Sequence, residues 1–161
     1  MESFSIRVAK DDQVFSASHF ITLGDEECER LHGHDYRVTA EVRGNLDASC
    51  CVVDFILLRS LLREIIADLD HCVLLPIEYS RICIDSGPKE VEVTCDDLRW
   101  VFPQRDCKLL PLANTTTERL AEYIARRLLA NLSEQSGARV DSLKVEIEEC
   151  YGVSAAYRLT P

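Results

Sequence analysis

The sequence predicts an α+β domain, and three observations carry that prediction. Apolar residues alternate with polar ones near the start, fall twice at helical spacing in the middle, and return to alternation at the end. The resulting order is two strands, two helices, two strands.

Phe4 to Val8 and Val14 to Phe20 read as short strands. Tyr36, Val38, Ala40 and Val42 then alternate with Arg37, Thr39, Glu41 and Arg43, as a half-buried strand requires, so the first strands are expected to pair antiparallel. From Phe55 to Leu69, the apolar residues at 57, 58, 61, 62, 65, 66 and 69 define one helical face, leaving Arg59, Arg63, Glu64 and Asp68 to solvent. Thr115 and Glu118 have the spacing of a capping box, and Leu120, Ile124, Leu128 and Leu132 mark the face of a second helix ending before Gly137. Leu143, Val145 and Ile147 share one face of a strand, with Val153 to Leu159 as its partner. Between the helices, Glu90 to Thr94 and Leu98 to Phe102 flank Cys95-Asp96-Asp97 as a hairpin ended by Pro103.

The length of 161 residues and the 47% hydrophobic content suit a single domain, 1–161, with an ordinary core. A formal charge of -10 argues against a broad nucleic-acid surface, which needs clustered Lys and Arg. No apolar run is long enough to span a membrane, and the start lacks a basic region followed by an apolar stretch. A soluble, cytoplasmic protein without membrane partners is expected. The eight cysteines are irregularly spaced, with Cys50 and Cys51 adjacent, and are expected to be thiols in a reducing compartment.

Three of the four histidines fall close together: His19, then His32-Gly33-His34. Alternation along a strand sends His32 and His34 to the same side, with Gly33 allowing close backbone approach, and antiparallel pairing brings His19 opposite them. Three neutral imidazoles hold a tetrahedral metal with one position open, which suits polarisation of a substrate oxygen. A His-Gly-His tripeptide alone is also a common accident of sequence.

Cys28, four residues before His32, follows the charged run Asp25-Glu26-Glu27. A nearby cation or histidine would make it a usable thiolate; the rival reading is a fourth ligand that closes the site and makes it structural. Asp70-His71 follows the first helix, where the aspartate either orients the imidazole for proton transfer or the histidine simply meets the helix dipole. Glu149 continues the inward alternation of Leu143, Val145 and Ile147, and a buried carboxylate needs donors. Those donors are a flat amidine-like ligand edge, an internal Arg or Lys, or solvent at a strand end.

Phe15-Ser16-Ala17-Ser18-His19, Cys28 with Leu31-His32-Gly33-His34-Asp35-Tyr36, Leu69-Asp70-His71, Asn114-Thr115-Thr116-Thr117-Glu118 and Glu149 together resemble the 6-pyruvoyl-tetrahydropterin synthase family, which includes the 6-carboxytetrahydropterin synthases of queuosine biosynthesis. The resemblance implies a tunnelling fold: a four-stranded antiparallel sheet with two helices on one face, trimers closing a barrel, and two trimers forming a homo-hexamer with sites between subunits. It implies zinc on His19, His32 and His34, a catalytic thiolate at Cys28, and proton transfer through Asp70 and His71 from a neighbouring subunit. Glu149 would anchor the pterin ring, with Thr116 and Glu118 beside it.

The implied substrate is 7,8-dihydroneopterin triphosphate. The pyruvoyl reaction eliminates triphosphate with internal redox, whereas the carboxy reaction also cleaves the side chain and releases acetaldehyde. The spacing from Cys28 to His32 resembles the carboxy branch, so 6-carboxy-5,6,7,8-tetrahydropterin is the expected product and the pyruvoyl compound the alternative. A zinc or pterin binding module without turnover is a reading of another class, against which Cys28, Asp70 and His71 together argue. Two departures stand out: Phe20 replaces a basic residue common in relatives, and the inserted segment at about 73–113 is longer than in compact members.

Overall fold

The computed structural model describes residues 3–24, 27–137 and 139–161. Asp25 and Glu26 of the charged run before Cys28 lie outside these residues, as do Met1 and Glu2 at the start.

Strands β1 (Phe4–Val8) and β2 (Val14–His19) are followed by two short strands, β3 (Thr22–Leu23) and β4 (Glu27–Cys28), and by the 13-residue β5 (His32–Gly44). β5 is long enough to take two partners in tandem on one edge: its first half pairs with β2 and its second half with β1, both antiparallel. Between them the Gln13 carbonyl accepts a hydrogen bond from Val38 N, so β1 and β2 act as one interrupted strand. The other edge of β5 pairs with β11 (Val140–Cys150), which pairs in turn with β12 (Val153–Leu159).

Helix α1 (Phe55–Ala67) starts at Asp54, whose carboxylate accepts from Ile56 N at 2.6 Å, satisfying one of the free amides of the first turn. It buries Leu58, Leu61, Leu62, Ile65 and Ile66, the stripe its periodicity marks. After α1 come β6 (Cys72–Pro76), β7 (Ile82–Ser86), β8 (Glu90–Cys95), β9 (Leu98–Pro103), a short 3-10 turn at Gln104–Asp106, and β10 (Cys107–Leu110). Helix α2 (Thr117–Ser136) ends at Gly137, whose φ of 60° terminates the helix in the left-handed region glycine adopts without steric cost.

The main sheet has seven strands in the order β10-β6-β2-β5-β11-β12, with β1 beside β2 on β5. This corrects the four-stranded expectation. The antiparallel centre β2-β5-β11-β12 is as anticipated, but β6 adds parallel to β2 and β10 parallel to β6. The ends of the segment 73–113 therefore belong to the main sheet. Its middle folds as a three-stranded antiparallel sheet, β7-β8-β9, in which the expected hairpin is β8 and β9 and a third strand is added.

Both helices cover one face of the main sheet. α1 lies over β1 and β2, α2 over β11 and β12, and the helices touch. The core between them contains Phe15, Tyr36, Val38, Ala40 and Val42 from the strands, and Leu120, Ile124, Leu128 and Leu132 from α2. A second, smaller cluster of Phe20, Leu75, Ile82, Val91, Val93 and Cys95 docks the three-stranded sheet. Phe20 is fully buried and stacks on Trp100 at 4.8 Å between centroids and 10° between planes. That accounts for an aromatic residue beside His19: it receives the added sheet.

Candidate active site

Cross-strand register assembles the three histidines. On β2 and β5, Phe15 stands opposite Tyr36, Ala17 opposite His34 and His19 opposite His32, so all six share the helix-covered face. A Cβ on Gly33 would lie 3.0 Å from the Ala17 carbonyl oxygen, so the glycine between the two histidines permits this strand approach. Ring centroids are 4.7 Å apart for His19 and His32, 4.9 Å for His32 and His34, and 5.3 Å for His19 and His34.

Two imidazoles are oriented by main-chain carbonyls. His19 Nδ1 donates to Thr115 O at 2.9 Å and His32 Nδ1 to Arg30 O at 2.8 Å, leaving both Nε2 lone pairs for the cluster. His34 Nε2 lies 2.8 Å from Glu149 Oε1, yet it is buried and lacks a hydrogen bond of good geometry. Tyr36 Oη approaches His19 Nε2 at 3.2 Å. The candidate ligand atoms of His19, His32, His34 and Glu149 all lie within 4.8 Å of one another.

Burial disfavours a charged His19 and lowers its pKa, reinforced by His32 and His34, although the Thr115 carbonyl acts in the opposite direction. Burial, then Glu149, raises that of Tyr36, which keeps its proton. Neutral nitrogen donors with carbonyl-fixed tautomers, one buried nitrogen without a proper partner, and an adjacent carboxylate fit a divalent cation that takes N and O ligands. The cluster could hold such an ion.

The segment before α2 supports the site. Thr115 is buried; its hydroxyl donates to Phe20 O at 3.1 Å while its carbonyl holds His19. The helix cap is Thr116, whose hydroxyl accepts from Arg119 N, rather than Thr115; the expected Thr115–Glu118 capping box is corrected by one residue. Glu118 is exposed on the first turn. The residue that meets Glu149 is Thr117, whose hydroxyl donates to Oε2 at 2.6 Å. Sequence reasoning missed Thr115 and Thr117 as supports of the site, although the run Asn114-Thr115-Thr116-Thr117 marked their neighbourhood.

Asp70 and His71 form a pair, Oδ2 to Nδ1 at 2.9 Å, while Asp70 Oδ1 accepts from Ser16 N at 2.8 Å. Burial acts to raise the Asp70 pKa, but the Ser16 amide and His71 outweigh it and hold the carboxyl below its usual value. His71 has a φ of 58° and an exposed side chain. It borders a cavity of about 510 Å³ lined also by Ser16, Ser18, Gly33 and Asp35. These residues alternate with the cluster residues, so the cavity opens on the sheet face opposite the helices.

Cys28 is part of neither group. It packs against the second apolar cluster, where burial, the Cys95 thiol and Asp96 push its pKa up to about 12 against the opposing influence of Arg81. Within one subunit these surroundings disfavour the thiolate expected at Cys28. The fourth group at the histidines is Glu149, which leaves the cluster without the closing cysteine ligand of the structural-zinc reading.

Fold and cluster together describe an α+β protein with a preformed candidate metal site at one end of its central sheet. The chain belongs to the 6-pyruvoyl tetrahydropterin synthase family, whose model matches residues 8–160, and is a tetrahydropterin-synthase lyase of that family. It is 30% identical over 145 residues to a Methanocaldococcus jannaschii protein provisionally named 6-carboxy-5,6,7,8-tetrahydropterin synthase, covering 89% of this chain and 88% of the relative. A Haemophilus influenzae 6-carboxy-5,6,7,8-tetrahydropterin synthase is 26% identical over 119 residues, 71% of this chain and 76% of the relative. The crystal structure of 6-pyruvoyl tetrahydropterin synthase from Plasmodium vivax superposes with a TM-score of 0.91 at 27% identity, covering 100% of both chains.

Proposed function

We propose that this chain is a zinc-dependent 6-carboxy-5,6,7,8-tetrahydropterin synthase that converts 7,8-dihydroneopterin triphosphate to the 6-carboxy product, acetaldehyde and triphosphate. The observation that carries the reading is the convergence of His19, His32 and His34, two of them held through Nδ1 by backbone carbonyls so that Nε2 faces the cluster. The name shared by the relatives supports the carboxy branch.

When bound by the three imidazoles, zinc would supply Lewis acidity towards an oxygen of the substrate side chain, making protons on adjacent carbons more acidic. Cys28 is assigned the removal of such a proton, and the Asp70–His71 pair its relay, with Asp70 orienting His71 and stabilising its charged form. Glu149 is assigned to the pterin, accepting bidentately from its amino and ring N–H groups, with Thr117 orienting the carboxylate. Thr116 and Glu118 are assigned to the rim of that pocket.

Cys28 is not among the clustered ligand groups of one subunit, and the Asp70–His71 pair lies at a cavity that His34 alone of the three clustered histidines borders. A homo-hexamer of two trimers, in which a neighbour's Asp70 and His71 complete each site, accounts for that separation.

The test is mass spectrometry of the products formed when zinc-loaded protein meets 7,8-dihydroneopterin triphosphate, with acetaldehyde assayed in the same tube. A 6-carboxy pterin with acetaldehyde is expected. A pyruvoyl product without acetaldehyde would select triphosphate elimination, favoured by the name of the Plasmodium vivax structure. Binding without consumption would select a module that holds zinc or pterin without turnover.

A further inference from the structure

The proposed chemistry leaves one thiol arrangement unused. Cys28 packs on the second apolar cluster, which contains Cys95 at the end of β8, and the two thiols interact side chain to side chain. Cys95 is 1% exposed, whereas Cys28 is half-buried and reachable. The segments carrying them are braced together, since Tyr79 Oη donates to Gly24 O at 3.1 Å and Phe20 stacks on Trp100; within the three-stranded sheet, Arg81 pairs with Asp96 beside Cys95. The other cysteines differ. Cys50, Cys51, Cys83 and Cys150 are exposed, and the thiols of Cys72 and Cys107 each donate to a main-chain carbonyl.

We propose that Cys28 and Cys95 form a modification site, a dithiol that a small-molecule disulfide such as oxidised glutathione converts to an intramolecular disulfide. In the first step the Cys28 thiolate attacks one sulfur of the small disulfide, breaking its S–S bond and releasing one thiolate, which takes up a proton. In the second, deprotonated Cys95 attacks Cys28 Sγ, forming the Cys28–Cys95 bond and releasing the second small thiolate, protonated in turn. Two cysteines lose two electrons and two protons; the small disulfide gains them as two thiols. The buried location of Cys95 favours this internal resolution, because the adduct at Cys28 has its resolving thiol already packed against it. The high pKa of Cys28 makes exchange slow at neutral pH and faster as pH rises. The consequence for turnover rests on the catalytic role proposed for Cys28: the disulfide withdraws that thiol and switches the enzyme off.

Trypsin provides the readout, since residues 11–30 and 90–99 are tryptic peptides that each contain a single cysteine, Cys28 and Cys95 respectively. Zinc-loaded protein is incubated with oxidised glutathione over a pH series, alkylated, digested and mapped by mass spectrometry. The expected result is a linked 11–30/90–99 peptide, growing faster at higher pH and removed by dithiothreitol, with activity lost in proportion to linkage. Cys95→Ser and Cys95→Val should keep basal turnover and yield only the glutathione adduct at Cys28. Adducts at Cys28 or at the exposed cysteines, with no linked peptide in the unsubstituted protein, would overturn the proposal. A linked peptide in a protein that shows no turnover before oxidation would uphold the dithiol and refute the catalytic reading instead.

Discussion

Glu149 stands between two partners, His34 on one carboxylate oxygen and Thr117 on the other, so its role is decided by what it releases on substitution. As a pterin anchor it makes charge-assisted hydrogen bonds, and Glu149→Gln should raise KM about tenfold or more while leaving zinc affinity intact. Isothermal titration with zinc and steady-state kinetics check this; a sharp fall in zinc affinity would instead make Glu149 a ligand. Gly33 has a different task. Gly33→Val places a branched side chain where even a Cβ is 3.0 Å from Ala17 O, so β2 must shift and carry His19 away from His32. Zinc affinity should fall by more than tenfold, with a lowered Tm, measured by competition with a chromogenic chelator and by calorimetry. The histidine pair was legible in the sequence because alternation along a strand is local. The supports Thr115 and Thr117 were not, because their partners His19 and Glu149 are 96 and 32 residues away.

At the scale of elements, the three-stranded sheet docks on the body through the second apolar cluster, in which Phe20 stacks on Trp100. Trp100→Ala removes the stacked partner of a buried ring, at a cost of about 0.5–1.5 kcal/mol beyond the lost area. The expected outcome is faster amide exchange in β7–β9 with little change in β5 and β11, measured by hydrogen exchange and mass spectrometry. Asp68 joins three elements: it caps the end of α1 and pairs with Lys108 of β10 and Arg127 of α2. Hydrogen bonds from these two cations hold its pKa below the ordinary 3.8. Its contribution is therefore present above that ordinary value and is lost as pH falls through the lowered one. Since the carboxylate is about half exposed, Asp68→Asn should cost under about 1 kcal/mol at pH 7 and nothing once both states are protonated, read from urea midpoints across pH. Helices α1 and α2 were legible because each has a continuous apolar stripe. Strands β6 and β10 were not, since their short runs have no long alternation and their parallel partners lie elsewhere in the chain.

For the whole molecule, the outer edges of the main sheet, β10 and β12, have no further strand partner among the described residues, as the proposed barrel between subunits requires. If each site takes Cys28 from one subunit and Asp70 from another, inactive Cys28→Ala and Asp70→Asn proteins should complement each other after unfolding and refolding together. Random equal mixing would restore about a quarter of the sites, measured as turnover against mixtures of either variant with itself. No recovery, with hexamers confirmed by native mass spectrometry, would place both residues within one subunit's site. The sequence alone determined the α+β class, the two helical faces, the inward direction of Glu149 and the three histidines, because each depends on the 3.6- or 2-residue period of a single segment. Tertiary structure decided that Glu149 meets His34, that Thr117 rather than Thr116 touches it, that Phe20 receives an added sheet, and that Cys28 packs with Cys95. Those contacts join segments distant in the chain, and only cross-strand register and the docking of one sheet on another bring them together.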